Sequence, residues 1–287
     1  MNSVTLMSLA PTDPGTGAGT RARSKKALVR LSADEGMPEC LAYVPPRLEA
    51  AAPARLVVCV HGISRDHREQ IELLREEAEQ RGYALLAPRF SERAWPDYQR
   101  LGRRGRGPRA DLGVDLAIER LEHQLGLRFG DRFLLGYSGG AQFVHRYAMA
   151  HPDRVRAAVC AAAGWYTLPE TQRRYPYGLR VEGSLAGVRL EPEAFLRVPL
   201  LVAVGRKDTT REAMRSRPRL DAEQGRHRLE RAERWTDAMR RAAERRGLES
   251  AVELALFEGA GHAFSECVRG GLARLAFDFF DNRKGNP

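Results

Sequence analysis

Between positions 132 and 152 the chain reads RFLLGYSGGAQFVHRYAMAHP, and this stretch restricts the possible folds more than any other. Phe133, Leu134 and Leu135 form a short apolar run of the kind that makes a buried strand. The run breaks at Gly136-Tyr137-Ser138-Gly139-Gly140, after which Phe143, Val144 and Tyr147 share one face at helical spacing. A strand that turns straight into a helix cramps the backbone at the turn. Glycines two before and two after Ser138 let strand and helix approach. Such a turn exposes the serine hydroxyl, and the helix N-terminus aims free N–H groups at negative charge forming beside it. The pattern is that of a nucleophile elbow. In a chain with 27 glycines the same spacing also arises by chance, so the reading depends on partners elsewhere.

Two short strands, at 27–32 and 39–45, precede the rest and are joined by a turn at Asp34-Glu35-Gly36. From residue 55 onward, apolar strand-like runs at 55–60, 84–90, 133–135, 156–163, 200–205 and 252–257 are separated by segments of helical periodicity. Nearly continuous apolar runs belong to strands covered on both faces. The alternation predicts a largely parallel α/β sheet of about eight strands, flanked by helices, with an antiparallel N-terminal edge. One domain over 27–282 is expected, with a short lid at 164–198 and an insertion at 209–226. Helices are expected near 66–81, 227–246 and 266–281. Residues 1–26, rich in Pro, Gly, Thr and Ser, read as a disordered leader rather than a secretory signal.

In open α/β sheets ligands collect at the carboxyl ends of the strands. Three such ends carry, in chain order, Ser138, Asp208 and His262. A serine hydroxyl is a poor nucleophile at neutral pH. It needs an imidazole to take its proton and a carboxylate to orient that imidazole and stabilise its charged form. A fourth strand end, His61-Gly62-Ile63-Ser64, is placed so that the Ile63 N–H, with that of Gly139, can receive an oxyanion. Tyr137, Trp165 and Tyr166 are candidates for the substrate pocket, with ordinary core as the competing reading for Trp165 and Tyr166. Asp208 is the weaker member, because an Asp after a strand often only caps a turn; Asp221 and Glu212 are the fallbacks. His61 reads as a support of its loop, His145 and His151 as non-catalytic, and His67 and His227 as exposed.

With these motifs in hand, residues 27–281 resemble the α/β-hydrolase fold family. VCVHGIS, GYSGGAQFVHRYAMAHPDRV and GAGHAF look most like bacterial esterases similar to dienelactone hydrolases and to polyhydroxybutyrate-depolymerase-like or feruloyl-esterase-like proteins. The resemblance implies a cofactor-independent serine esterase working through an acyl-enzyme. An acyltransferase or peptidase with the same triad is the alternative. From another class, so is a non-catalytic polyanion-binding protein on a hydrolase scaffold. The interval between Asp208 and His262 is longer than the common pattern, which motivates the insertion at 209–226.

A net charge of +10 raises the question of nucleic acid. The arginines, however, are interleaved with glutamates, as in RHRLERAERWTDAMRRAAERRG, which reads as a solvated, salt-bridged helix face. The Arg-rich loop at 93–109 reads as solvated, with attraction of an anionic substrate as the sharper alternative. No apolar run approaches the roughly 20 residues of a membrane helix. Cys40, Cys59, Cys160 and Cys267 show no paired spacing, and the chain has no metal-ligand pattern. The expectation is a cytoplasmic monomer or homodimer without cofactor or metal, whose partner is a small-molecule ester and not nucleic acid or membrane.

Overall fold

The computed structural model describes residues 27–46, 48, 54–211 and 214–283. The expected leader at 1–26, and Glu212, lie outside them. In chain order the elements are β1 (Ala27–Leu31), β2 (Glu39–Val44), β3 (Ala54–Val60), α1 (His67–Arg81), β4 (Tyr83–Arg89), α2 (Ala110–Leu125), β5 (Phe129–Tyr137) and α3 (Gly139–Ala150). They continue with β6 (Ala157–Ala161), α4 (Pro192–Phe195), β7 (Leu200–Gly205), α5 (Pro218–Gln224), α6 (Arg228–Glu244), β8 (Val252–Phe257), α7 (Phe264–Arg269) and α8 (Leu272–Asp281).

The strands form one sheet of eight in the order β1-β2-β4-β3-β5-β6-β7-β8. β2 pairs antiparallel with both β1 and β4, and every other pairing is parallel. The expected mostly parallel sheet with an antiparallel edge is therefore what forms. The apolar runs are continuous because each strand feeds two cores. On β3, Leu56, Val58 and Val60 pack into the layer containing α2, α3 and α6, while Val57 and Cys59 pack into the layer of α1 and α8. Local signals set the helix ends. Asp66 accepts hydrogen bonds from the Arg68 and Glu69 N–H groups at the start of α1, and Gly82 closes it in the left-handed conformation.

Two expectations need correcting. The last helix is not continuous: it breaks into α7 and α8 at Gly270-Gly271, where Gly271 takes a φ of 101°. The charged helix α6 is not solvated all round either. Arg228 and Arg231 are buried on the same side as Ala232, Trp235, Met239 and Ala242, because positions 228, 232, 235 and 239 share one face of a helix.

Residues 164–198 are mostly irregular, with α4 near their end. They are tied down, not loose. Gln224 of α5 grips both the N–H and the carbonyl of Tyr166, the Trp235 indole donates to Thr167 O, and Arg231 donates to Gly164 O. The stretch at 209–226 includes α5, so it supplies part of that anchorage. No helix among the described residues is long and apolar enough to cross a membrane.

Candidate active site

β5 ends at Tyr137 and α3 begins at Gly139, leaving Ser138 between them at φ 53° and ψ −108°. A residue with a side chain rarely takes this conformation, and its surroundings enforce it. A Cβ on Gly136 would fall 2.3 Å from Gly140 O, and one on Gly140 would fall 1.9 Å from Val60 O. Both flanking glycines are thus required by contact, as the spacing suggested. The Ser138 N–H donates to Ala161 O, tying the turn to the end of β6.

Three strand ends meet at this serine. His262, in the loop after β8, places Nε2 3.1 Å from Ser138 Oγ. Its Nδ1 lies 2.8 Å from Asp208 Oδ2, in the turn after β7. Asp208 is buried, while Ser138 and His262 keep some exposure, as groups that meet a ligand from solvent must. With Nδ1–H donating to Asp208, Nε2 is left as the acceptor facing the serine hydroxyl.

Sequence reasoning missed Arg228. Its guanidinium, on the first residue of α6 and 1% exposed, donates to Asp208 Oδ1 at 3.2 Å. The two oxygens of Asp208 are thereby divided between a fixed cation and the imidazole. Tyr137 does not face an open pocket. Its ring stacks on His262 with centroids 5.4 Å apart, and its hydroxyl sits 3.7 Å from Cys267 Sγ. Burial, reinforced by Cys267, pushes the Tyr137 phenol up, and burial pushes the Cys267 thiol up to about 11. Both stay neutral and wall the back of the histidine.

On the other side of Ser138, the loop after β3 is locked from behind. Gly62 O accepts from Tyr98 Oη at 3.0 Å, from the Arg65 N–H at 3.2 Å and from His61 Nδ1 at 2.7 Å. In a trans peptide the carbonyl and the following N–H point in opposite directions, so three donors on Gly62 O fix the direction of the Ile63 N–H. Ile63 and Gly139 are neighbours: a Cβ on Gly139 would lie 3.3 Å from Ile63 Cγ2. The Gly139 amide is in the first turn of α3, where no earlier turn supplies an acceptor. His61 Nε2 accepts from the Phe90 N–H at 3.0 Å, which requires the neutral ring. Burial, only partly offset by the hydrogen bond to Gly62 O, lowers its pKa to about 4.

The remaining candidates separate. Tyr166, a possible pocket wall, is fully buried and stacks on Trp235 with centroids 4.5 Å apart; it is core because α6 lies against it. Trp165 is buried too, with the guanidinium groups of Arg146 at 4.3 Å and Arg215 at 5.7 Å from its ring. His145 mirrors His61: Nδ1 meets Ala141 O, Nε2 accepts from the Thr167 N–H, and burial holds the ring neutral. His151 pairs with Asp111. His67 is buried rather than exposed, and His227 caps α6 by accepting from the Glu230 N–H. Asp221 is engaged by Arg211 and Arg231. In the loop at 93–109, Arg100 and Arg103 close on the buried Asp97. Burial alone would raise that carboxyl, but the two guanidinium groups outweigh it and hold it below the usual range. No group of His, Cys, Asp and Glu that could hold a metal ion occurs among the described residues.

No protein-family model matches the chain, and no curated protein matches it by sequence. Solved structures do. Poly(aspartic acid) hydrolase-1 from Sphingomonas sp. KT-1 is 23% identical over 88% of this chain and 98% of its own, with a TM-score of 0.74. A poly(3-hydroxybutyrate) depolymerase from Bordetella parapertussis is 26% identical over 91% of this chain and 92% of its own, with a TM-score of 0.70. An esterase from Pyrococcus furiosus is 13% identical over 96% and 99%, with a TM-score of 0.58. Sheet order, elbow and neighbours agree, and the chain has the α/β-hydrolase fold.

Proposed function

We propose that the protein is a serine hydrolase that cleaves a carboxylic ester through a covalent acyl-enzyme. The observation that carries this reading is the unbroken relay from Ser138 Oγ to His262 Nε2 at 3.1 Å and from His262 Nδ1 to Asp208 Oδ2 at 2.8 Å. The similar Bordetella protein, a depolymerase of a polyester, supports the ester class.

In this mechanism Ser138 Oγ attacks the ester carbonyl carbon while His262 Nε2 takes the hydroxyl proton. The carbonyl oxygen becomes an oxyanion received by the N–H groups of Gly139 and Ile63. The intermediate collapses, the bond to the alcohol oxygen breaks, and His262 returns the proton to that oxygen. Water then repeats the sequence on the acyl-enzyme, His262 again taking and returning a proton, and frees the acid and the serine. Asp208 stabilises the imidazolium formed in each half. The exposed Ile63 side chain offers apolar contact to the acyl group at the rim.

A fluorophosphonate probe tests the reading. It is expected to label the folded protein, and labelling is expected to vanish in Ser138→Ala along with hydrolysis of p-nitrophenyl butyrate. Folded wild type that neither labels nor hydrolyses any aryl ester would instead make it a binding protein on a hydrolase scaffold.

A further inference from the structure

Beside the segment at 164–198 lies an open cavity of about 500 Å³, lined by Arg173, Arg174, Tyr177, Arg217, Arg219 and Leu220. Its charge is only partly compensated. Glu223 serves both Arg173 and Arg219, and Glu170 adds a longer contact to Arg173. Among the described residues no carboxylate pairs with Arg174 or Arg217, and both are exposed. One shared carboxylate, with Glu170 at longer range, faces four guanidinium groups, so Arg174 and Arg217 have solvent alone to lessen their repulsion.

A stack of packed side chains links the wall of the cavity to the helix that follows the serine. Tyr177 on its wall packs against Trp165, with ring centroids 5.1 Å apart, and under Arg215 at 5.9 Å. Trp165 in turn carries Arg146 on its face. Arg146 belongs to α3, the helix that starts at Ser138, and lies about 12 Å from it along the axis. Two polar atoms in this stack, Arg146 Nη2 and Arg215 Nε, are buried and find no hydrogen-bond partner among the described residues. Arginines and aromatic faces thus run without a break from the elbow helix to an open, cationic basin.

We propose that this basin is a subsite for a carboxylate group of an extended ester substrate, bound by Arg174 and Arg217 beside Tyr177. A guanidinium matches a carboxylate through two parallel N–H···O bonds and needs no further donor geometry. A substrate that reaches both Ser138 and this basin carries its charge at the far end of a long acyl or alcohol part. The basic surface then draws such a substrate in, as a field and not only as a contact. This inference rests on the hydrolase reading of Ser138, and its test separates the two.

The p-nitrophenyl monoester of dodecanedioic acid and its methyl-capped analogue share one acyl chain and differ at the far end, a carboxylate in one and a neutral methyl ester in the other. Wild type is expected to prefer the charged ester in kcat/KM. In the double variant Arg174→Ala/Arg217→Ala that ratio is expected to fall about tenfold through KM. It is also expected to fall in wild type as salt is raised. A wild-type ratio near one, or a ratio that the double variant leaves unchanged, overturns the proposal. If neither ester is hydrolysed, the hydrolase reading fails, and calorimetry with dodecanedioate decides the subsite alone. Binding weakened about tenfold in the double variant supports it, and no binding to wild type overturns it.

Discussion

Two buried guanidinium groups, one on the acid paired with His262 and one on the helix after the serine, are held in opposite ways. Arg228 meets the carboxylate of Asp208, itself hydrogen-bonded to His262. Arg146 meets no acid among the described residues. Its partners are Thr167 Oγ1, the carbonyl oxygens of Gln99 and Gln142, and the face of Trp165. Burial above all pushes Arg146 down to about 10, still charged at neutral pH. On the Arg228 side the charges close on themselves, so that side is a relay of fixed geometry. On the Arg146 side neutral dipoles and an indole solvate the cation, and its positive potential remains available to an anion. Similar burial therefore leaves one cation closed on a carboxylate and the other held by neutral dipoles and an indole face.

The largest expected effect breaks the compensated side at its centre. Asp208→Asn keeps the shape but no longer stabilises the imidazolium and can favour the wrong tautomer, and kcat on a neutral aryl ester is expected to fall about 10⁴-fold. A loss under tenfold would show that Asp208 is not the acid. Next comes Arg228→Met. It leaves a buried carboxylate without its cation, and urea unfolding is expected to show a loss of about 3–5 kcal/mol. The surviving activity carries the sharper signature. With Asp208 no longer held on its second oxygen, the imidazole loses its fixed orientation, and kcat on a neutral aryl ester is expected to fall while KM holds. A destabilised variant whose kcat is unchanged would make Arg228 a purely structural ion-pair partner.

How much of this was legible in the sequence follows the same division. Ser138, Asp208 and His262 sit at strand ends marked by local signals, and the turn at Ser138 is dictated by glycines two residues either side. Arg228 carried no local signal, since its fate depends on which face of α6 turns inward. The stripe of Ala232, Trp235, Met239 and Ala242, extended one turn back, does reach it. Trp165 and Tyr166 are adjacent yet diverge, because one meets arginines and the other meets Trp235. Long-range packing decides such cases, and neither periodicity nor composition records it. Tyr98 and Gln99 were hidden for the same reason, in a loop whose Arg-rich composition pointed to solvent.

A third buried base separates the effect of burial from that of charge. His61 is neutral, with a folded pKa near 4 against an ordinary value of 6.5. Between these values the unfolded chain binds a proton that the folded chain refuses, so stability is highest above about pH 6.5 and declines as pH falls toward 4. The full span is worth about 3 kcal/mol. In His61→Gln this contribution is absent, and the loss of stability between pH 7 and 4.5 is expected to be smaller than in wild type. An equal loss would assign the acid sensitivity to other groups, with His145 first among them.

The smallest effect belongs to the uncompensated side and tests the comparison most directly. Arg146→Met removes a cation that has no acid to leave behind, so no bare buried charge results. What loses a donor is neutral: the Gln99 carbonyl oxygen, the Gln142 carbonyl inside α3, and Thr167 Oγ1, whose hydroxyl still donates to Pro176 O. The expected loss in urea unfolding is about 1–3 kcal/mol, below that of Arg228→Met. Its kcat on a neutral aryl ester is expected to hold, because Arg146 does not touch the relay. Equal losses for the two variants would mean that carbonyl dipoles and an indole hold a guanidinium as firmly as a carboxylate does. The division between a closed relay and an open field would then collapse.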